Sequence, residues 1–185
     1  MTTAKVYRNS SWIDKRIEVR ESPIHGKGLF AREPLAVGEI IIVCGGQLWP
    51  RTTPLETLLN QVHRDSIVPL DDEYYLCMNI NDPPTNDIYM NHSCNPNTWL
   101  QDECTVVVRS PINRNDEITT DYAMISDDDI VITESCQCKS DQCRRLITLK
   151  DWMRPELQER YFGHFLPFLN NKIKLLQESQ KSISK

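Results

Sequence analysis

A mainly β domain of short strands, with helices gathered at its C-terminal end, is the fold class this sequence predicts. Three observations carry it. Apolar residues alternate over short runs separated by Gly, Pro, Asn and Asp. The longest aliphatic run, Ile40 to Cys44, is only a strand's length, and helical spacing takes over after Pro155. At 185 residues, 39% hydrophobic and 25% charged, the chain has the size and composition of one globular domain with a real core.

The elements follow in order. Arg16–Glu21 alternates, Gly26–Glu33 begins with two closely spaced glycines, and Glu39–Cys44 reads as a buried strand entered from Gly38. Leu55–Val62 reads as a helix opened by Pro54. Glu73–Ile80 and Cys104–Ser110 read as strands, Asn81–Asp87 as a turn, and Asp116–Met124 as one more short strand. Pro155 opens a helix through Phe162, stopped by Gly163. Pro167 opens another, with Leu169, Ile173 and Leu176 at helical spacing and a frayed end beyond.

The formal charge of -5 argues against a nucleic-acid binder and favours a basic partner such as a lysine-rich tail. The N-terminal stretch has no apolar signal region and no run is long enough to span a membrane. An intracellular, soluble setting is expected, cytoplasmic or nuclear in a eukaryote. Seven cysteines without a secretory signal do not suggest a disulfide framework. Cys44, Cys77 and Cys104 sit singly among apolar residues and read as small core side chains.

Four segments carry chemistry. His25–Ala31 (HGKGLFA) meets the spacing of a dinucleotide fingerprint through Gly26, Gly28 and Ala31, but Pro34 and Gly38 interrupt the required helix and no βαβ unit follows. Alone it reads as a glycine turn; its functional reading is close backbone approach to a ligand. Tyr89–Thr98 (YMNHSCNPNT) crowds amides, an imidazole and a thiol together. Its NPNT end fits a self-capped loop, but the whole string, with Cys94 among polar neighbours, fits ligand recognition better. Ile118–Met124 (ITTDYAM) sets Tyr122 at a strand end, where a packing tyrosine is the commoner reading. In Cys136–Ile147 (CQCKSDQCRRLI) three thiolates leave a tetrahedral zinc site one ligand short, and Cys94 is the other cysteine in a polar loop. A redox role is the competing reading, and it lacks the usual C-x-x-C helix.

In this order the four segments resemble the SET-domain protein lysine methyltransferases, with NHSCNPN matching their central motif almost letter for letter. The resemblance covers roughly Ile17 to Ile147 and implies a SET domain over 17–135, a post-SET zinc segment over 136–150 and a C-terminal helical extension over 151–185. No cysteine precedes Cys44, so the cysteine-rich pre-SET region is missing and the chain looks like a compact, stand-alone member. The family's fold joins small curved sheets and threads its C-terminal part as a pseudoknot.

What the resemblance implies is transfer of a methyl group from S-adenosylmethionine to the ε-amine of a protein lysine. Tyr122 would be the catalytic tyrosine. Gly26, Lys27 and Gly28 would contact the methionine part of the cofactor, Asn91 and His92 its amino-acid and adenine portions, and Leu146 would pack on the adenine. Tyr75, or its neighbour Tyr74, would wall the lysine channel with Thr120. Cys94, Cys136, Cys138 and Cys143 would hold a structural zinc. Two departures stand out. Ile88 replaces an arginine common in relatives, leaving Lys27 or another group to orient the cofactor carboxylate, and Thr120 replaces a frequent aromatic. Two alternatives remain: a non-catalytic SET module serving as an interaction surface, against which the intact Gly26, Asn91, His92 and Tyr122 argue, and a methyltransferase with a small-molecule acceptor.

Overall fold

Short strands need partners, and here several find one far along the chain as well as beside them. The structure, a computed structural model, describes residues 5–127 and 134–183. Strand β1 (Trp12–Ile13) leads into the hairpin of β2 (Ile17–Glu21) and β3 (Lys27–Ala31), which turns at Gly26 with φ of 44°. Then come β4 (Ile40–Val43), β5 (Gln47–Pro50) and helix α1 (Leu55–Leu59). This helix is shorter than the predicted Leu55–Val62, because Asn60 already caps it. Strands β6 (Val68–Pro69) and β7 (Tyr74–Cys77) complete a three-stranded sheet, β5-β7-β6.

The central motif supplies β8 (Asn91–His92) and β9 (Thr98–Leu100), followed by β10 (Thr105–Val108) and β11 (Glu117–Thr120). Two four-stranded sheets result, β1-β4-β10-β9 and β2-β3-β11-β8. The β8–β11 pair is parallel, with Thr119 opposite Asn91 and Thr120 opposite His92. Two-residue pairing is weak by itself, and side chains reinforce it. Asn97 mimics a strand edge: its Nδ2 donates to Glu117 O at 2.7 Å and its Oδ1 accepts from Thr119 N at 2.9 Å. Thr98 Oγ1 adds a bond to Thr119 O at 2.8 Å.

After the cysteine-rich segment, β12 (Glu134–Ser135) pairs with β13 (Leu146–Ile147), and the chain ends in α2 (Pro155–Arg160) and α3 (Pro167–Ile183). Both helices open at proline, as predicted, and Gly163 turns between them at φ of 79°. The tail expected to fray is helical to Ile183. Residues 151–183 are not an appendage. Leu157, Tyr161, Phe165, Leu166 and Leu169, each at most 2% exposed, pack in the same core as Leu29, Ile42, Val106 and Ile118 of the sheets. A second cluster, Leu58, Val62, Ile67, Tyr75 and Cys77, seals the β5-β7-β6 sheet. Among the described residues no helix is long and apolar enough to cross a membrane.

Candidate active site and metal centre

The parallel β8–β11 pair draws three of the four chemical segments around one cleft of about 730 Å³. Gly26 and Lys27, Asn91 and His92, and Thr120 and Tyr122 all line it. The fourth segment closes one wall with Ser135, Cys136, Gln137 and Ile147, and Leu166 at the entry to α3 closes another. The volume falls within the range of small-molecule and cofactor sites.

Asn91 ties the glycine turn to the sheet. Its Nδ2 lies within hydrogen-bond reach of His25 O (3.1 Å), Lys27 O (3.0 Å) and Glu117 Oε1 (2.7 Å). Glu117 in turn accepts from Ser22 Oγ at 2.8 Å. Gly28 is buried against this group and does not line the cleft: a Cβ there would overlap Glu117 Oε1 and meet Asn91 Nδ2 at 3.1 Å. Gly28 therefore makes room for the staple, whereas Gly26 has open space beside it. Lys27 Nζ lies over the Tyr89 ring, 5.5 Å from its centroid, and Ile88 also lines the cleft.

His92 spends both ring nitrogens on the protein. Burial pushes its pKa down to about 4 against the opposing pull of Asp121, so the ring is neutral near pH 7. Nδ1 accepts the Tyr122 backbone N–H at 3.2 Å, which leaves the hydrogen on Nε2, 3.2 Å from Cys94 Sγ. Tyr122 begins a 3₁₀ turn (Tyr122–Met124) capped by Asp121, whose carboxylate accepts from Ala123 N. The Tyr122 hydroxyl donates to Met90 O at 3.2 Å. Thr120 Oγ1 is different: it is buried on the cleft wall without a hydrogen-bond partner, an open demand for a polar atom from a ligand or water.

Cys94, Cys136, Cys138 and Cys143 converge, their sulfurs all within 4.8 Å of one another. Four thiolates about 2.3 Å from a central zinc would sit about 3.8 Å apart. The Cys94–Cys136 separation is 3.8 Å, and all four cysteines are free. Burial works against ionisation here, yet donors from Cys94 N and Ser140 N bring Cys138 down to about 7. Burial raises Cys94 to about 11, and a bound cation would favour its thiolate form. The donor set thus fits a structural zinc.

Besides Gly28, Tyr75 and Leu146 lie off the cleft. Tyr75 is buried in the second cluster, beneath Arg51, and does not line the cleft; Leu76, on the opposite side of the strand, does. Tyr74 is exposed and is not on the cleft either. Leu146 is likewise 48% exposed and off the cleft, where its neighbour Ile147 takes the wall position. Cys77 and Cys104 are buried as expected, but Cys44 is half-buried and lines the cleft. Asn97, Glu117, Asp121 and Arg144, which brace the site, escaped the sequence reading because their partners are distant in the chain.

Comparison with known proteins agrees with this geometry. A family model, the SET domain, matches residues 26–123. Histone-lysine N-methyltransferase SETD1 of Drosophila melanogaster is 30% identical over 143 residues, which cover 70% of this chain and 8% of that protein. Histone-lysine N-methyltransferase ASHH3 of Arabidopsis thaliana is 27% identical over 150 residues, 74% of this chain and 39% of that one. The chain thus spans well under half the length of these relatives. Among solved structures, KRYPTONITE in complex with mCHG DNA and SAH superposes with a TM-score of 0.54 at 21% identity, over 70% of this chain and 28% of that one. The methyltransferase domain of human SETMAR does so at 0.53 and 16%, over 71% of this chain and 57% of that one. These two share the fold. With the family model matched across the glycine turn, the central motif and Tyr122, the chain belongs to the SET-domain family.

Proposed function

We propose that this chain is an S-adenosylmethionine-dependent protein-lysine N-methyltransferase that acts on a basic protein such as a histone tail. One observation carries the reading: the glycine turn, Asn91, His92 and Tyr122 surround a single cleft. The histone-lysine N-methyltransferase relatives and the net charge of -5 support a basic protein acceptor.

S-adenosylmethionine, when bound, supplies an electrophilic methyl group on a positive sulfonium. Gly26, Lys27, Asn91 and His92 are the residues that would hold it, mainly through main-chain groups at the glycine turn. Because the ring nitrogens of His92 are engaged, its role towards a ligand falls to other atoms. Lys27 lines the cleft together with Ile88, which stands in the missing arginine's place, and would meet the cofactor carboxylate.

An acceptor lysine has a pKa of about 10.4 and must shed its proton before attack. The apolar wall of Ile42, Leu76, Val106 and Leu166 disfavours the ammonium by desolvation. A tyrosine phenol, whose free pKa is about 10, is a poor base at neutral pH, so that role does not fall to Tyr122. Its fixed hydroxyl, beside the Met90 carbonyl, instead orients the amine and the methyl group for in-line approach.

Incubation with methyl-labelled S-adenosylmethionine and core histones, then with whole lysate, tests the proposal. The expected result is label on lysine in a basic protein, located by mass spectrometry. Cofactor binding without label in any protein would contradict it.

A further inference from the structure

Arg144 lies between the cysteine centre and Asp121, the residue before Tyr122, and bonds both. Its backbone N–H donates to Cys94 Sγ at 3.3 Å. Its guanidinium grips Asp121 with two bonds, Nη1 to Oδ2 at 2.6 Å and Nη2 to Oδ1 at 2.7 Å, while Nε donates to Asp151 at 3.0 Å. The Arg144 side chain is 6% exposed and both carboxylates are fully buried. Asp121 also receives the Tyr161 hydroxyl at 3.0 Å and caps Ala123 N at 3.0 Å.

Burying three charges is costly, and apolar packing of the same volume often stabilises a fold as well or better. What the network adds is position, because a planar fork held by two carboxylates has one orientation. Beside a link through Arg160 on Cys94 O and Tyr161 on Asp121, it forms one of two routes from Cys94 Sγ to backbone N–H groups of the turn that carries Tyr122. The other runs through His92, to the Tyr122 N–H. The Arg144 route ends one residue later, at the Ala123 N–H.

We infer that Arg144 is a positioning residue that transmits the state of the four-cysteine centre to the 3₁₀ turn carrying Tyr122, through the Asp121 cap on Ala123 N. Metal loading thus sets that turn as well as the fold of the cysteine segment. The catalytic consequence rests on the proposed role of Tyr122; the mechanical link does not.

The two routes allow an internally controlled test by amide hydrogen exchange on the full chain, with zinc bound and after chelation. In the native protein zinc should slow exchange at both Tyr122 and Ala123, by about tenfold or more. In Arg144→Lys, with zinc content verified by elemental analysis, the effect at Tyr122 should persist and that at Ala123 should fall below about threefold. Turnover should drop about tenfold, with S-adenosylmethionine affinity within about threefold of native. Equal zinc protection of Ala123 in variant and native protein would overturn the inference. Uncoupling at Ala123 in Arg144→Lys, with a native protein that is coupled but methylates nothing, would support the link and remove the enzymatic reading. Should Arg144→Lys fail to fold, Asp151→Asn, which keeps Arg144 and loosens its grip, should weaken the Ala123 effect alone; an unchanged effect there would likewise overturn the inference.

Discussion

At the scale of single residues, the string YMNHSCNPNT is a set of braces as much as a ligand reader. Asn91 holds the glycine turn, His92 holds Tyr122, Cys94 joins the metal centre and Asn97 stitches β11. The sequence made the string conspicuous but not its bonds, because the partners of the Asn91 side chain, the Tyr122 partner of His92 and the β11 partners of the Asn97 side chain lie at least twenty residues away. The same limit explains Tyr75. Alternation shows that Tyr75 and Leu76 face opposite ways, but only the packing of α1 against β7 decides which side is the cleft. Gly28→Ala should break at least one Asn91 bond, since its Cβ has no room beside Glu117. A loss of about 1–3 kcal/mol in stability and about tenfold in S-adenosylmethionine affinity is expected, read by denaturation and calorimetry. Thr120 bears on how many methyl groups are added. Threonine is smaller than the aromatic frequent at this place, although its unpartnered hydroxyl can hold a water and oppose the effect of that smaller size. The volume argument predicts products beyond monomethyl-lysine, with Thr120→Tyr shifting them towards monomethyl. Time-resolved mass spectrometry on one peptide decides it: a native enzyme that stops at one methyl with cofactor in excess contradicts the argument.

At the scale of elements, legibility followed locality. Pro155, Gly163 and Pro167 mark helix boundaries through their own backbone preferences, and the helices begin where they stand. Strands such as β6 and β8 are two residues long and exist only through their partners, so no periodicity reveals them. Helix α3 belongs to the C-terminal helical extension that the sequence predicts, and Leu169 and Ile173 anchor it in the main core, while Lys172 Nζ bonds Asp127 at 2.8 Å beside Arg51. Leu169→Ala should therefore cost about 2–5 kcal/mol, as for a core leucine, and lower Tm accordingly. A change under about 0.5 kcal/mol, typical of a surface site, would mean that α3 is dispensable to the core.

At the scale of the whole molecule, one topological fact links the parts: β11 pairs with β8, and the cysteine segment returns to Cys94 beside them. Zinc in structural peptides is worth roughly 10–16 kcal/mol, so its removal should be felt across the cleft that Cys136 and Ile147 wall. Purified protein is expected to carry about one zinc per chain, and chelation should release it with loss of cofactor binding; active protein free of zinc would refute the centre. The central claim is narrower. It holds that the cleft positions a methyl donor and a lysine for the Tyr122 hydroxyl. Side-by-side measurement of S-adenosylmethionine affinity and turnover in native protein and Tyr122→Phe tests it most directly. The account predicts unchanged affinity and turnover lowered on the order of 10²-fold, since only the orienting hydroxyl is lost. Native turnover in the variant would contradict it.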